Sequence, residues 1–169
     1  MEPLDVVTST YLACLVDVVG AYTGTKPVAR PLSAACPITQ TTDDTCATLV
    51  RFGEERVWGS SLLVADEATL RNLAAGEVDD LYDWLGELNN QLVGRMKNRL
   101  IRSAPHLQIS MPVPVVGFVK DRGAAAGWVV MWDGGRLTAC LGLTVTPGIT
   151  LVADEPMADA AAEGSLVLF

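Results

Sequence analysis

Glu87 and Asn90 stand three residues apart in a stretch of helical periodicity, so a carboxylate and a carboxamide are neighbours on one face. The carboxylate can pair with a cation. The amide offers a donor and an acceptor, and can hold a water molecule in line with an electrophile. Neither group is a nucleophile, and neither needs a metal of its own. That pairing suits hydrolysis of a phosphoryl group, where placing the attacking water is much of what a protein contributes. At ~100° per residue, Asp83, Glu87, Asn90 and Gly94 lie roughly 140–200° from Leu85, on the solvent side. A glycine in the middle of an exposed helix face costs about 1 kcal/mol relative to alanine. Gly94 gains nothing from the core there, a pattern expected where a partner approaches the backbone. Asn89 points sideways from Glu87 on the same wheel, which makes Asn90 the candidate of the two. Taken bare, such a pair is an ordinary solvated helix face; Gly94 on that face is what favours docking.

The element that must carry this face is a helix predicted from about 78 to 101. Leu81, Leu85, Leu88, Leu92, Met96 and Arg99 cluster within roughly 40° of Leu85 and form its inner stripe. Asp79, Asp80 and Asp83 near its start, and Arg95, Lys97, Arg99 and Arg102 near its end, complement the helix dipole. A first helix is expected over 4–19, from Leu4, Val7, Tyr11, Cys14, Leu15 and Val18, with Gly20 as its terminator. Residues 23–45, with Pro27, Pro31 and Pro37, read as a long connection holding an edge strand near 28–32. A hairpin follows over 45–52 and 57–64, then a short helix over 66–75 with Asp66 as N-cap and Gly76 as stop. Residues 107–119 read as a strand that Pro112 and Pro114 place at an edge or bulge, and 128–132 with 136–145 form the clearest hairpin around Asp133, Gly134 and Gly135. Both halves therefore run helix, then antiparallel strands, which suggests an internal duplication.

The chain has 169 residues, half of them hydrophobic and 19% charged, enough for one globular domain with a real core. A single domain is expected over 1–148. The acidic, alanine-rich extension over 149–169, with its apolar end from Ser165 to Phe169, either docks as a strand or stays loose. A net charge of −8 argues against nucleic acid or an anionic membrane as the main partner. No cationic segment precedes an apolar run at the start, and the apolar stretch 11–22 is interrupted by Asp17 and shorter than a ~20-residue span. The protein is therefore expected in the cytoplasm. Cys14, Cys36, Cys46 and Cys140 are scattered, and His106 is the sole histidine, which argues against a four-ligand zinc site. Small buried thiols in a reducing compartment are the expectation. His106 beside Pro105 reads as a turn or strand-entry residue rather than a catalytic base. Trp84 falls on the flank between core and surface.

Asp83, Glu87, Asn90, Gly94 and Lys97, at spacings of four, three, four and three, resemble the helix signature of the chemotaxis phosphatase family that includes CheX, CheC and FliY. That signature runs Asp or Ser, then Glu, then Asn, with a proline further on. Pro112 and Pro114 bracket the expected proline, and residues 112–117 resemble the proline-containing strand start of CheX-like chains. Residues 57–64 with the short helix after them resemble the strand and helix that precede the signature. The resemblance covers roughly residues 45–145. It implies an α/β fold of α+β layering, with long helices packed on an antiparallel sheet. It implies an enzyme acting on the aspartyl phosphate of CheY-type receiver domains. Glu87 would then bridge to a lysine of the receiver, and Asn90 would orient the attacking water. The chain would need no cofactor of its own, since Mg²⁺ would belong to the receiver. Helix 1 lacks a Glu and Asn at this spacing, so one site per chain is expected, the CheX-like arrangement; CheX-like proteins can be homodimers. The same fold can also serve as a non-catalytic module that docks a receiver or another signalling partner.

Overall fold

The computed structural model describes residues 2–32, 39–40, 44–76, 78–116, 118–119 and 124–154. The chain begins with α1 (Pro3–Thr23), followed by β1 (Val28–Pro31), β2 (Thr39–Gln40), β3 (Thr45–Gly53) and β4 (Val57–Asp66). Two helices follow, α2 (Glu67–Ala74) and α3 (Leu81–Leu100). The strands β5 (Gln108–Ile109), β6 (Val113–Pro114), β7 (Phe118–Val119), β8 (Ala124–Trp132) and β9 (Gly135–Val145) complete the order. The main sheet is antiparallel, in the order β1-β8-β9-β4-β3-β5, with β6 also paired to β3; β2 and β7 form a separate pair. Exchanging α1 with α3, β1 with β5 and β6, β2 with β7, β3 with β8 and β4 with β9 turns this order into its own reverse. The duplication suggested by element order is thus present in the topology.

The helices α1 and α3 pack side by side on one face of the sheet because each carries an apolar stripe at helical spacing. From α1 the stripe is Val7, Tyr11, Cys14, Leu15 and Val18; from α3 it is Leu85, Leu88, Leu92 and Met96. Alternate strand residues such as Val50, Leu63, Val130 and Leu137 meet them. The intervening residues Ala47, Leu62, Val64 and Cys140 form a smaller cluster on the other face. By length and composition α1 could cross a membrane, but its inward residues belong to this core.

Several boundaries differ from the sequence expectation. Helix α1 runs past Gly20 and ends where Gly24, at φ 66°, turns its N–H back to the Gly20 carbonyl at 2.9 Å. Gly20 has another use: a Cβ there would lie 3.1 Å from the Thr25 carbonyl oxygen as the chain folds back. Helix α2 stops at Ala75, in the left-handed region at φ 51°, rather than at Gly76. Helix α3 begins three residues later than 78, because the Asp80 carboxylate accepts from the N–H groups of Tyr82 and Asp83 at 2.8 and 3.1 Å. The strand expected over 107–119 is broken into β5, β6 and β7. Pro112 and Pro114 lack the N–H groups that a continuous ladder would use.

Residues 149–154 fold back onto the end of α3. Leu151 is buried, the Asp154 N–H donates to the Arg99 carbonyl at 2.7 Å, and the Asp154 carboxylate pairs with Arg102. The apolar end 165–169 and the middle of the 23–45 connection lie outside the described residues. Cys140 is disulfide-bonded, which corrects the expectation of four reduced thiols. Spacing along a chain does not report which sulfurs the fold brings together. Cys14 and Cys46 are free and buried, and Cys36 lies outside the described residues.

Candidate functional site

Helix α3 presents the predicted face as a row. Asp83 and Glu87 are exposed, and Asn90 and Gly94 are half-buried one and two turns further on. Its opposite stripe is closed against the sheet, with Leu85, Leu92 and Met96 fully buried. Arg99, grouped by the wheel with this stripe, lies at its margin and pairs with Asp17 of α1 at 2.6 Å. The four candidate residues are therefore carried on one helix whose opposite side is packed in the core.

Among the described residues, neither Asp83 nor Glu87 has an ion-pair partner. The Glu87 carboxylate accepts only a long contact from the Gln91 amide, at 3.5 Å. Gln91 in turn accepts from the Tyr22 hydroxyl at 3.4 Å. Tyr22 packs edge-on against Trp84, with ring centroids 5.5 Å apart, and so ties the end of α1 to the flank of α3. Trp84 is thus core rim, as its wheel position implied. The Asn90 carboxamide makes no hydrogen bond among the described residues, which leaves both its donor and its acceptor for an external group.

A Cβ built on Gly94 would meet nothing within 4 Å. No packing among the described residues accounts for the glycine, and they leave the backbone there open to approach. Gly86, one residue before Glu87, behaves differently. A Cβ on it would lie 3.0 Å from the Pro112 Cβ, so the bare backbone seats the proline segment against α3. Met111, Val113 and Val116 of that segment are exposed.

Asn89 was expected to point sideways. It points inward and is fully buried. The reason is geometric: two residues past Glu87 is ~200° of rotation, nearly the opposite side of the helix. Its amide meets polar groups of β3 and β4, which the apolar stripe alone did not foretell. Gly86, Asn89 and Gln91 are the residues that sequence reasoning missed. The signal available was the wheel itself, which turns Asn89 toward the core. Elsewhere, His106 lies in the turn before β5, where its N–H meets the Glu54 carboxylate at 3.3 Å. Burial pushes the Cys14 thiol up to about 11, and Cys46 is raised by burial and by the nearby Glu67 and Asp80 carboxylates. Among the described residues no group of three or more His, Cys, Asp or Glu side chains is placed to hold a metal ion.

No family model matches the sequence, and no curated protein matches it. Solved structures do match in fold. A CheC-like superfamily protein from Shewanella sp. PV-4 is 17% identical, with a TM-score of 0.62 over 85% of this chain and 99% of that one. The chemotaxis protein CheX from Vibrio vulnificus is 18% identical, with a TM-score of 0.61 over 82% of this chain and 99% of that one. CheX in a CheX–CheY–BeF₃–Mg²⁺ complex from Borrelia burgdorferi is 16% identical, with a TM-score of 0.59 over 80% of this chain and 96% of that one. The chain has the CheC/CheX-like fold.

Proposed function

We propose that this protein is a CheX-like member of the CheC/CheX/FliY family, a phosphatase for the aspartyl phosphate of a CheY-type receiver domain. The observation that carries the reading is the exposed row on α3. It holds a Glu87 carboxylate without an ion-pair partner and an Asn90 carboxamide without a hydrogen bond among the described residues, one turn apart, on a fold shared with a CheX described in complex with CheY.

On this reading the receiver docks over Asp83, Glu87, Asn90 and Gly94. Glu87 bridges to a lysine of the receiver, and Gly94 lets the receiver backbone come close. The Asn90 carboxamide oxygen accepts a hydrogen bond from a water and aims that water's oxygen at phosphorus. A bond forms between the water oxygen and phosphorus, and the bond from phosphorus to the aspartyl oxygen breaks. Inorganic phosphate leaves and the receiver regains its carboxylate. Charge on the phosphoryl oxygens would be neutralised by Mg²⁺ belonging to the receiver. This chain supplies position rather than a nucleophile or a metal. Action in the cytoplasm and assembly as a homodimer belong to the same proposal.

The test is to phosphorylate a CheY-type receiver with acetyl phosphate, remove the donor, and follow phosphate release with and without the protein. Release accelerated in proportion to added protein supports the reading. Binding without acceleration identifies the non-catalytic docking module instead.

A further inference from the structure

Asn89 is a fully buried carboxamide on an otherwise apolar helix stripe. Burying such a group is costly unless every polar atom is satisfied. Here each one is. The Asn89 nitrogen donates to the Thr48 carbonyl at 3.1 Å and the Ser61 carbonyl at 3.0 Å. Its oxygen accepts from the Ser61 hydroxyl at 2.6 Å. Two carbonyl acceptors on one side require the nitrogen there, which fixes the amide orientation. Ser61 has one hydroxyl proton and gives it to Asn89, so the Tyr11 hydroxyl, 2.7 Å away, must donate to Ser61. Burial raises the Tyr11 pKa and keeps that proton in place. The Thr48 hydroxyl donates to the Leu85 carbonyl, one turn earlier on α3, at 3.4 Å. One network thus joins α1, β3, β4 and α3.

Leucines alone fix a helix poorly about its axis, because apolar contact has no direction. A planar amide clamped between two strand carbonyls and a hydroxyl does have direction, and buried polar groups of this kind are known to fix register. We infer that Asn89 is the positioning residue of this site: its hydrogen bonds to β3 and β4 set the rotational phase of α3, and with it the direction in which Asn90 and Glu87 leave the surface. The inference rests on the reading of Asn90 as the group that orients water. The tandem asparagines divide the work, one facing inward to hold the helix and the next facing outward to meet the partner.

The test removes the Tyr11, Ser61 and Asn89 polar groups together and leaves the Thr48 hydroxyl on the Leu85 carbonyl, so that no buried polar side chain is orphaned. In full-length Tyr11→Phe/Ser61→Ala/Asn89→Leu, apolar groups replace these three and a cooperative melt is expected to remain. Two signals are then read. The first is NMR of the Asn90 side-chain amide and the Trp84 indole N–H, whose edge-on contact with Tyr22 reports the roll of α3. Single sharp resonances in the wild type are expected to broaden or split in the variant. The second is turnover on an acetyl-phosphate-treated CheY-type receiver. A misaimed water should cost about tenfold or more in kcat. KM should move less than about threefold, because a salt bridge between long side chains tolerates a small displacement. A purely structural role would change the melt and leave kcat and the resonances alone.

If the triple variant does not fold, Asn89→Leu, which removes every hydrogen bond of Asn89 to β3 and β4 and leaves the Ser61 hydroxyl with Tyr11, is read in the same two ways. Wild-type kcat together with single sharp resonances overturns the inference. If the wild type itself has no turnover, the catalytic reading fails, and the NMR arm still decides whether Asn89 sets the phase of the helix.

Discussion

Gly86 and Pro112 lie so close that a Cβ on Gly86 would stand 3.0 Å from the Pro112 Cβ, tighter than ordinary contact. This approach seats Pro112 against the first half of α3. Gly94, which is half-buried, and Gly86, which is buried, should therefore respond oppositely to alanine. At Gly94, where nothing is met within 4 Å, alanine should add about 1 kcal/mol and raise Tm by about 2–4 °C. At Gly86 the clash with Pro112 should cancel that gain or reverse it. Thermal melts of the two variants check both signs.

Gly94 also separates stability from docking. A Gly94→Trp variant should fold, since the space above the position is open, yet bind a receiver at least about tenfold more weakly. Calorimetric titration with a beryllofluoride-treated receiver measures it. Wild-type affinity would show that the receiver does not approach the backbone there.

Charge at Glu87 should govern association. Among the described residues the carboxylate has no ion-pair partner to lose, so Glu87→Lys should leave the melt almost unchanged. It should weaken receiver binding by about tenfold or more, with a larger effect at low salt than at high salt. An effect equal at both ionic strengths would argue against a direct ion pair.

Stability should fall in mild alkali. Burial moves the Cys14 thiol from 9.0 up to about 11 in the folded chain. A raised thiol pKa means that the unfolded chain loses its proton first. The contribution is fully present below about pH 9 and is lost as pH rises toward about 11. Its full size is roughly 2–3 kcal/mol. Urea melts at pH 7, 9, 10 and 11 should trace this loss, and Cys14→Ala should flatten it.

Much of this could be read from the sequence, for identifiable reasons. The α3 stripe, the β8–β9 hairpin and the β1 edge strand each follow from local periodicity and turn chemistry, and all are present. Helix ends were less legible, because Gly20 serves a close approach by Thr25 rather than a stop, and Asp80 rather than the residues before it caps α3. The inward turn of Asn89 was available from the helix wheel, but its partners Thr48 and Ser61 were not. They lie on two strands that only the sheet order brings beneath the helix. The Cys140 disulfide was equally out of reach, being a contact between segments rather than a pattern within one.

The most direct test is the loss of receiver phosphate under saturating protein, comparing wild type with Asn90→Ala. Asn90 makes no hydrogen bond among the described residues, so truncating it should leave the fold and receiver binding intact. If its carboxamide orients the attacking water, the rate should fall by about 100-fold at unchanged affinity. Equal dephosphorylation by the two proteins would contradict the account.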